Sequence, residues 1–481
     1  MIKNERQYRI TKAQIADLEQ ALAELTAQPE GPAQLQRAEE EALRSQIADL
    51  YMQVEEYEAL LTGERSVLTL DSFEELPRAL IQARIAAGLS QKDLADRLSL
   101  KEQQIQRYEA TDYASASLER VQKVIRALGV QIREDVILPK AKLSFDRLLT
   151  RLTRAGLDGD FVLTRLIPRA LRARLEDPND TSDPDTLVLR AASTVGRVFG
   201  WTPAAIFGSG PLVPDMAIIG ATRYKTSSRV DEQRTSAYTV YAHFLALLVL
   251  EATATRPRQP IPTDPRVLLE AIVAAYGSLN FEHALRYVWG LGIPVLPLAD
   301  AGAFHGACWR VDGRNVIVLK QQVRSPARWL FDLMHEVRHA GQHPEQPELA
   351  VIEHNEMATE RLESEEEQEA SQFAGDVSLH GRAEALAQQC VQAAGGSVER
   401  LKKALPKVAE REQVRVDALA NYVAFRLSLQ GLNWWGAANN LQATTPDPWL
   451  VARDVMLEHI NLGVLNESDR SLLLQALSER T

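Results

Sequence analysis

A histidine–glutamate–histidine motif is the part of the sequence whose residue types point most directly to chemistry. His335, Glu336 and His339 occur in the string His-Glu-Val-Arg-His. Histidines at this spacing lie one turn apart on a helix, so both imidazoles can reach a single ion at about 2.0–2.1 Å. The glutamate between them is the residue that such a motif assigns as general base for a zinc-bound water. The string predicts a hydrolytic zinc site, and a surface helix with two solvated histidines is the alternative.

The residues around the motif predict a helix that would hold it. Ser325 and Pro326 are a capping residue followed by proline in the first turn, where the missing N–H costs nothing. An apolar stripe follows, formed by Trp329, Leu330, Leu333, Met334 and Val337. A hydrolytic zinc also needs a third protein ligand and an open position. The next predicted helix, 363–379, supplies several carboxylates, and its residue pattern alone does not choose among them.

Apolar segments upstream of the motif predict a small sheet. Residues 292–298 have the composition of a short strand, and residues 307–311 and 315–319 flank Asp-Gly-Arg, a β-hairpin signal. From Ser325 to the end the pattern is almost wholly helical. The expected fold class is therefore mainly α with a small β-sheet (α+β).

The segment 84–109 has the pattern of two helices joined by a tight turn. Leu94 and Leu98 cover the inner face of the first helix, and Ile105 and Tyr108 point inward from the second. The outward side chains of the second helix can contact base edges and phosphates in a major groove, with glutamine suited to adenine and arginine to guanine. These side chains are Lys101, Glu102, Gln103, Gln104 and Arg107. A unit used only for protein contact is the alternative, because acidic and basic residues nearly balance here.

Heptad-spaced apolar residues near the N-terminus predict a helical hairpin. They recur from Ile15 to Leu25 and, after the Pro- and Gly-containing break at 29–32, from Leu43 to Leu61. Spacing that alternates between three and four residues favours a seam against another helix, within the hairpin or between two copies. We therefore expect the hairpin to mediate dimerisation. Two helices packed on the following domain are the alternative.

Length, charge and cysteine content limit the remaining possibilities. A chain of 481 residues, 45% of them hydrophobic, exceeds what one core serves, so several domains are expected. A net charge of -11 confines any DNA contact to one module. Two cysteines are too few for a disulfide framework. The polar N-terminus is no secretory signal, and the apolar stretch 238–250 is too short to span a bilayer, so we expect a cytoplasmic protein without a membrane partner.

Two family resemblances add to these interpretations. Residues 84–109 resemble the XRE/Cro-type helix-turn-helix, which implies that Gln91 positions the domain on a DNA phosphate. About 237–442 resembles the ImmA/IrrE family of metallopeptidases, whose histidine motif is followed by Glu-x-x-Ala-Asn-x-Phe-Ala. The matching string here begins at Glu367 and reads Glu-Gln-Glu-Ala-Ser-Gln-Phe-Ala, so the resemblance implies Glu367 as the third metal ligand.

The sequence departs from the ImmA/IrrE pattern at three places. Arg338 stands where a small glycine is usual, Ser371 replaces asparagine, and 377–380 replaces the family's Leu-Leu-Met-Pro ending. These departures concern substrate access and loop shape more than metal binding. The oxyanion-stabilising residue is not identified by the motif, and the candidates are Arg338, His305, His343 and Tyr422.

Five regions are expected along the chain. They are a helical hairpin for dimerisation (1–66), a helix-turn-helix DNA-binding domain (67–140), a helical connector or sensor (141–236), an ImmA/IrrE-like metallopeptidase domain (237–442) and C-terminal helices (443–481).

The combination implies a stress-responsive repressor fused to a zinc metalloendopeptidase, with Mn²⁺ as the alternative ion. The expected partners are double-stranded operator DNA, a second copy in a homodimer, and an activating nucleic acid or other stress ligand. The ImmA/IrrE resemblance implies substrates that are helix-turn-helix repressors, this chain included. One alternative is an antitoxin-like or ligand-sensing regulator whose zinc domain cuts nothing. Another is a protease that acts on a separate repressor and uses its helix-turn-helix for docking.

Self-cleavage requires an extended segment. Residues 133–142 are β-branched in part, contain Pro139 and are bracketed by helices, so they can present extended backbone to a cleft. The polar loop 176–185 is the competing site. A bound substrate segment would lie along the edge of the small sheet.

Overall fold

A computed structural model describes residues 1–27, 33–63, 68, 70, 73–132, 143–213, 230–300, 304–321, 323–353 and 364–478. The chain forms two compact units. The first unit comprises Met1–Leu143, Ser182–Thr194 and Asn461–Arg470, and the second comprises Ser144–Thr181, Val195–Ile460 and Ser471–Thr481. Each unit contains parts of more than one of the five expected regions. The expected hairpin break at 29–32 and cleavage segment at 133–142 lie outside the described residues.

The first unit contains six complete helices and two short 3₁₀ turns among its described residues. The helices are α1 (Glu5–Ala27), α2 (Ala33–Thr62), α3 (Leu76–Ala86), α4 (Gln91–Arg97), α5 (Glu102–Ala110) and α6 (Leu118–Leu128), and the turns are Phe73–Glu75 and Leu462–Val464. Helix α4 begins at a capping box in which Ser90 and Asp93 satisfy each other's backbone N–H groups. Helix α6 ends at Gly129, whose φ of 70° is the left-handed conformation that favours glycine.

The hairpin α1–α2 shares a core with the helix-turn-helix helices. Its residues in that core are Ile2, Ile15, Val54, Tyr57 and Leu60, and they join a cluster that contains Leu80, Leu94 and Ile105. Part of the hairpin thus packs on the domain that follows it. This packing is the alternative to dimerisation that the sequence left open. Other heptad residues are only half-buried, namely Leu18, Leu22, Leu25, Leu43, Ile47 and Leu50. Dimerisation through the hairpin stays a prediction.

The second unit holds the remaining helices and all described strands. Its helices are α7 (Phe145–Arg154), α8 (Gly159–Phe161, continued by a π-helical turn at Val162–Leu166), α9 (Arg169–Glu176), α11 (Pro203–Phe207), α12 (Val230–Glu251), α13 (Pro265–Tyr276), α14 (Phe281–Gly290), α15 (Pro326–Ala340), α16 (Glu365–Ser378), α17 (Ala383–Ala393), α18 (Val398–Glu412), α19 (Val416–Ser428), α20 (Trp435–Asn439), α21 (Pro448–His459) and α22 (Glu467–Ala476). Helix α10 (Pro184–Phe199) and helix α22 each contribute residues to both units. Among the described residues, no helix is both long and apolar enough to cross a membrane.

A four-stranded mixed sheet lies beside the motif helix. Its strands are β1 (Val295–Pro297), β2 (Gly306–Val311), β3 (Arg314–Leu319) and β4 (Leu349–Glu353), in the order β1-β3-β2-β4. Strand β1 is parallel to β3, whereas β2 is antiparallel to both β3 and β4. The predicted strand and hairpin are confirmed, and so is the fold class. The expectation of an almost wholly helical chain after Ser325 did not include β4, because pairing with β2 decides the structure of this short apolar run.

The motif helix α15 is buried along almost its whole length. Ser325 caps it by accepting from the backbone N–H of Arg328 at 3.2 Å, as the sequence predicts. It packs against β2 and β3 and against α14, α16 and α19. Every residue of the helix except Arg338 is buried. The surrounding elements therefore fix the position of any side chain that α15 carries.

Candidate metal centre

Two helices bring three metal-ligating side chains together. His335 and His339 lie on α15, and Glu367 lies in the first turn of α16. The two histidine Nε2 atoms are 3.0 Å apart, and each is 3.4 Å from a carboxylate oxygen of Glu367. Donor atoms at about 2.0–2.1 Å from a tetrahedral zinc lie about 3.4 Å from one another. The donor set and its spacing therefore fit a divalent ion such as zinc.

Each histidine is oriented through its other ring nitrogen. Nδ1 of His335 lies 3.1 Å from Oγ of Ser371, and Nδ1 of His339 lies 3.1 Å from Oε1 of Gln342. A carbonyl oxygen only accepts, so Nδ1 of His339 donates and its Nε2 keeps a lone pair for the ion. Ser371, which replaces the family's asparagine, orients a ligand. Gln342 was not singled out by the sequence, because only the fold shows that it contacts His339.

Glu336 lies against the backbone of β2. Its side chain is 1% exposed, and a Cβ placed on Gly306 would lie only 2.1 Å from its Oε1 atom. Only glycine therefore leaves room for this carboxylate in its present position. On the same strand, burial raises the pKa of the Cys308 thiol well above its usual range, and the charge of Glu336 adds to the shift. Gly306 carries no chemical group, so the sequence offered no signal for it.

The structure distinguishes some of the oxyanion candidates. Tyr422 packs its ring on Gly375 of α16 and donates to Oε2 of Glu384 at 3.2 Å, and burial raises the pKa of its phenol. It therefore has a packing role. Arg338 donates to Oε2 of Glu369 at 2.9 Å, so the residue at the usual glycine position links α15 to α16. His305 directly precedes Gly306, and the half-exposed His343 lies 3.9 Å from Glu366.

The predicted DNA-reading side chains lie on and just before α5. Lys101, Glu102, Gln103 and Arg107 are exposed, and Gln104 is half-buried. The side chain of Gln104 accepts from the backbone N–H of Lys101 at 3.3 Å. Gln91, expected on a phosphate, donates from Nε2 to Oε2 of Glu109 at 2.8 Å. Contact of these residues with DNA stays a prediction. The side-chain amide of Gln91 already donates to Glu109, so the predicted phosphate contact would use an amide that is hydrogen-bonded within the protein.

A buried ion pair fixes α5 on α3. Nε and Nη2 of Arg84 donate to the two carboxylate oxygens of Glu109 at 2.6 and 2.8 Å. Arg84 also donates to the carbonyl of Lys3 at 2.6 Å, and Nζ of Lys3 donates to the carbonyl of Glu109 at 2.5 Å. The N-terminal segment is thus part of the support of α5. No pattern in the sequence indicated this network.

Comparison with known families agrees with the two sites. Residues 80–134 match a family model described as helix-turn-helix, and residues 291–390 match one described as the IrrE N-terminal-like domain, a peptidase family of the M78 type. The second match contains all four strands and the three converging side chains. A search of curated proteins found no match to this chain. The chain carries an XRE-type helix-turn-helix domain and an IrrE-like peptidase domain.

Proposed function

We propose that this chain, which joins a helix-turn-helix domain to an IrrE-like domain, is a repressor with a zinc metalloendopeptidase that cleaves a helix-turn-helix protein, its own chain included, in response to stress. The observation that carries the proposal is the convergence of His335, His339 and Glu367 in the peptidase-family domain, with Glu336 between the two histidines. One divalent ion could be held by all three side chains at once.

The roles of the side chains follow from their positions. A divalent ion held by the three ligands would act as a Lewis acid, polarising a peptide carbonyl and lowering the pKa of water toward neutrality. Glu336 accepts the proton of the attacking water and passes it to the leaving amine. Its contact with Gly306 keeps its carboxylate in a fixed place beside the histidines. Ser371 and Gln342 keep the imidazoles in the orientation that ligation needs.

The edge of the sheet offers a place for an extended substrate. Strand β4 is an edge strand among the described residues, and its Glu353 pairs with Gly306, the residue that contacts Glu336. A segment that adds main-chain hydrogen bonds to the outer side of β4 would lie roughly 10 Å, or two strand spacings, from the strand that contacts the catalytic carboxylate. This geometry supports cleavage of extended segments rather than of folded helices.

The first unit supports a DNA-binding role for the same chain. The outer face of α5 offers Lys101, Glu102, Gln103 and Arg107 to a major groove of operator DNA. One such module binds weakly, and two modules held together by the half-buried heptad residues of the hairpin would read two half-sites. We therefore propose a homodimer on double-stranded DNA.

Self-cleavage would weaken the DNA-binding unit. Residues 177–183 form a largely exposed turn between α9 and α10, which supports 176–185 as one place for a cut. A cut there or at 133–142 leaves Asn461–Arg470 and most of Ser182–Thr194 on the other product, although both belong to the first unit. The released module would lack part of its packing, so its hold on the operator would fall.

The purified full-length chain tests this proposal. We expect Zn²⁺ or Mn²⁺ to produce smaller fragments that a chelator suppresses and that Glu336→Gln does not give. Fragments from Glu336→Gln at the wild-type rate would contradict the proposed chemistry. A wild-type chain that binds metal but gives no fragment would contradict self-cleavage, and a separate helix-turn-helix protein would then be the substrate to test.

A further inference from the structure

A buried arginine of β2 donates hydrogen bonds to the backbone at and after the end of the motif helix. Arg310 is 3% exposed, and its guanidinium donates to several carbonyl oxygens, one of which, that of Ala340, also accepts from the side chain of Asn315. These are the backbone oxygens of Ala340 at 2.8 Å, Gln342 at 2.9 Å, His343 at 2.5 Å and Gln346 at 3.1 Å, with the side-chain oxygen of Asn315 at 2.8 Å.

One of these carbonyls, that of Ala340, is the last of α15, and the others lie in the segment that follows the helix. The last carbonyls of a helix have no partner within it, and the negative end of the helix dipole favours a cation there. Helix α15 ends at Ala340, directly after His339. A planar guanidinium with several fixed donors can bind several carbonyls at once, which a lysine ammonium on a flexible stem cannot do in the same geometry.

Arg310 reaches the metal centre through one residue. The backbone oxygen of Gln342 accepts from Arg310, and the side-chain oxygen of Gln342 lies 3.1 Å from Nδ1 of His339. Gln342, whose side chain orients the imidazole of His339, is thus hydrogen-bonded to Arg310 through its backbone oxygen. Without that contact the turn after α15 can move, and the amide of Gln342 moves with it.

We infer that Arg310 is a positioning residue of the metal centre, which holds Gln342 so that its amide orients His339 and thereby sets the affinity for the divalent ion. The inference rests on the metal site of the proposed function but not on proteolysis.

The chain contains a matched control on the neighbouring strand. Arg314 of β3 donates to the backbone oxygen of Leu250 at 2.6 Å and to that of Thr253 at 2.8 Å, so it binds carbonyls at the end of α12. That helix carries none of the three candidate metal ligands. Loss of Arg314 therefore removes the same kind of helix-end contact from the same domain without touching the metal centre.

The affinity of the full-length chain for Zn²⁺, measured by competition with a chromophoric chelator, tests the inference. We expect Gln342→Ala to weaken binding about 10–100-fold, the usual effect of removing the partner of a metal-bound histidine. We expect Arg310→Met to weaken binding to a similar extent, and the double variant to bind no more weakly than Gln342→Ala alone. Arg314→Met should bind as the wild type does.

Three results would overturn the inference. They are wild-type affinity in Arg310→Met, losses that multiply in the double variant, and an equal loss in Arg314→Met. If Arg310→Met does not fold, Arg310→Lys replaces it, and we expect a smaller loss that is again absent on the Gln342→Ala background. A wild-type chain that binds Zn²⁺ but cleaves nothing would contradict the proposed function and leave this measurement intact.

Discussion

The metal centre and the predicted DNA-reading helix place their polar side chains in opposite ways. His335, His339 and Glu336 are buried, and the two imidazoles lie within contact distance of each other and of Glu367, whereas Lys101 and Arg107 on the DNA-reading face are exposed. A buried, converging set of polar groups needs a reason, because desolvation makes it costly. An exposed polar helix face requires no functional reason, because most surface helices have such a face. Geometry alone therefore argues for function in the first region and not in the second.

The largest expected effect concerns the catalytic base. Glu336→Gln removes the proton acceptor but none of the three metal ligands, so we expect the cleavage rate to fall about 10²–10⁴-fold. Metal content should stay at the wild-type level. Measurement of fragment formation together with metal analysis checks both expectations.

Glu367→Ala is the matched variant for this test. It should lose the ion as well as the activity, because it removes one of three ligands. Full metal occupancy in Glu367→Ala would show that Glu367 is not a ligand. Full activity in Glu336→Gln would show that Glu336 is not the general base.

The second-largest expected effect concerns the buried ion pair of Arg84 with Glu109, whose polar groups are buried for a structural reason. Arg84→Met leaves the carboxylate of Glu109 buried without its partner, and we expect the free energy of unfolding of the first unit to fall by about 3–5 kcal/mol. Arg78→Met on the same helix loses a longer pair, of 3.9 Å, between a half-exposed guanidinium and Glu56, and it should cost less than about 1 kcal/mol. Denaturant titration followed by circular dichroism measures both, and similar losses would contradict a structural role for the Arg84–Glu109 pair.

A third prediction concerns the fit of Glu336 against β2. Gly306→Ala displaces the carboxylate, and we expect cleavage to slow about 10²-fold, as a misplacement of about 1 Å can cause. Zn²⁺ affinity should change little, because Gly306 contacts no ligand. Gly290→Ala is the control, since a Cβ there meets nothing within 4 Å. Unchanged cleavage by Gly306→Ala would show that the base tolerates movement.

The smallest expected effect concerns the DNA-reading face. Gln103→Ala and Arg107→Ala should each weaken operator binding by about 1–3 kcal/mol and relax its sequence preference. The exposed Gln106 on the same helix is the comparison variant, although it is bonded to Glu102 at 3.0 Å. A mobility-shift titration at fixed salt on an operator selected from random DNA measures the effect. Unchanged binding by both variants would favour protein docking as the role of this domain.

The two candidate histidine ligands could be predicted from the sequence because their geometry is local. The spacing of His335 and His339 fixes one turn of helix, and Glu367 followed from a family string rather than from geometry. Gly306, Arg310 and Gln342 could not be predicted, because each acts through a contact that only the sheet and the end of α15 create. The same holds for β4, whose strand conformation depends on its pairing with β2.

In the first unit, too, the polar contacts between distant residues could not be predicted from the sequence. The inward faces of the two helix-turn-helix helices followed from the apolar spacing of Leu94, Leu98 and Ile105. The ion pair of Arg84 with Glu109 joins residues 25 positions apart, and charged residues in a helical pattern are normally assigned to solvent.

Cleavage by a metal-dependent glutamate base is the central claim, and intact-mass spectrometry of a mixed sample tests it most directly. Unlabelled wild-type chain is combined with ¹⁵N-labelled Glu336→Gln chain, and Zn²⁺ is added after removal of bound metal. The account predicts zinc-dependent fragments that include unlabelled masses, with labelled masses as well where one chain cuts another. Absence of any zinc-dependent fragment would contradict cleavage of its own chain, and labelled fragments from Glu336→Gln incubated alone would contradict the role of the glutamate base.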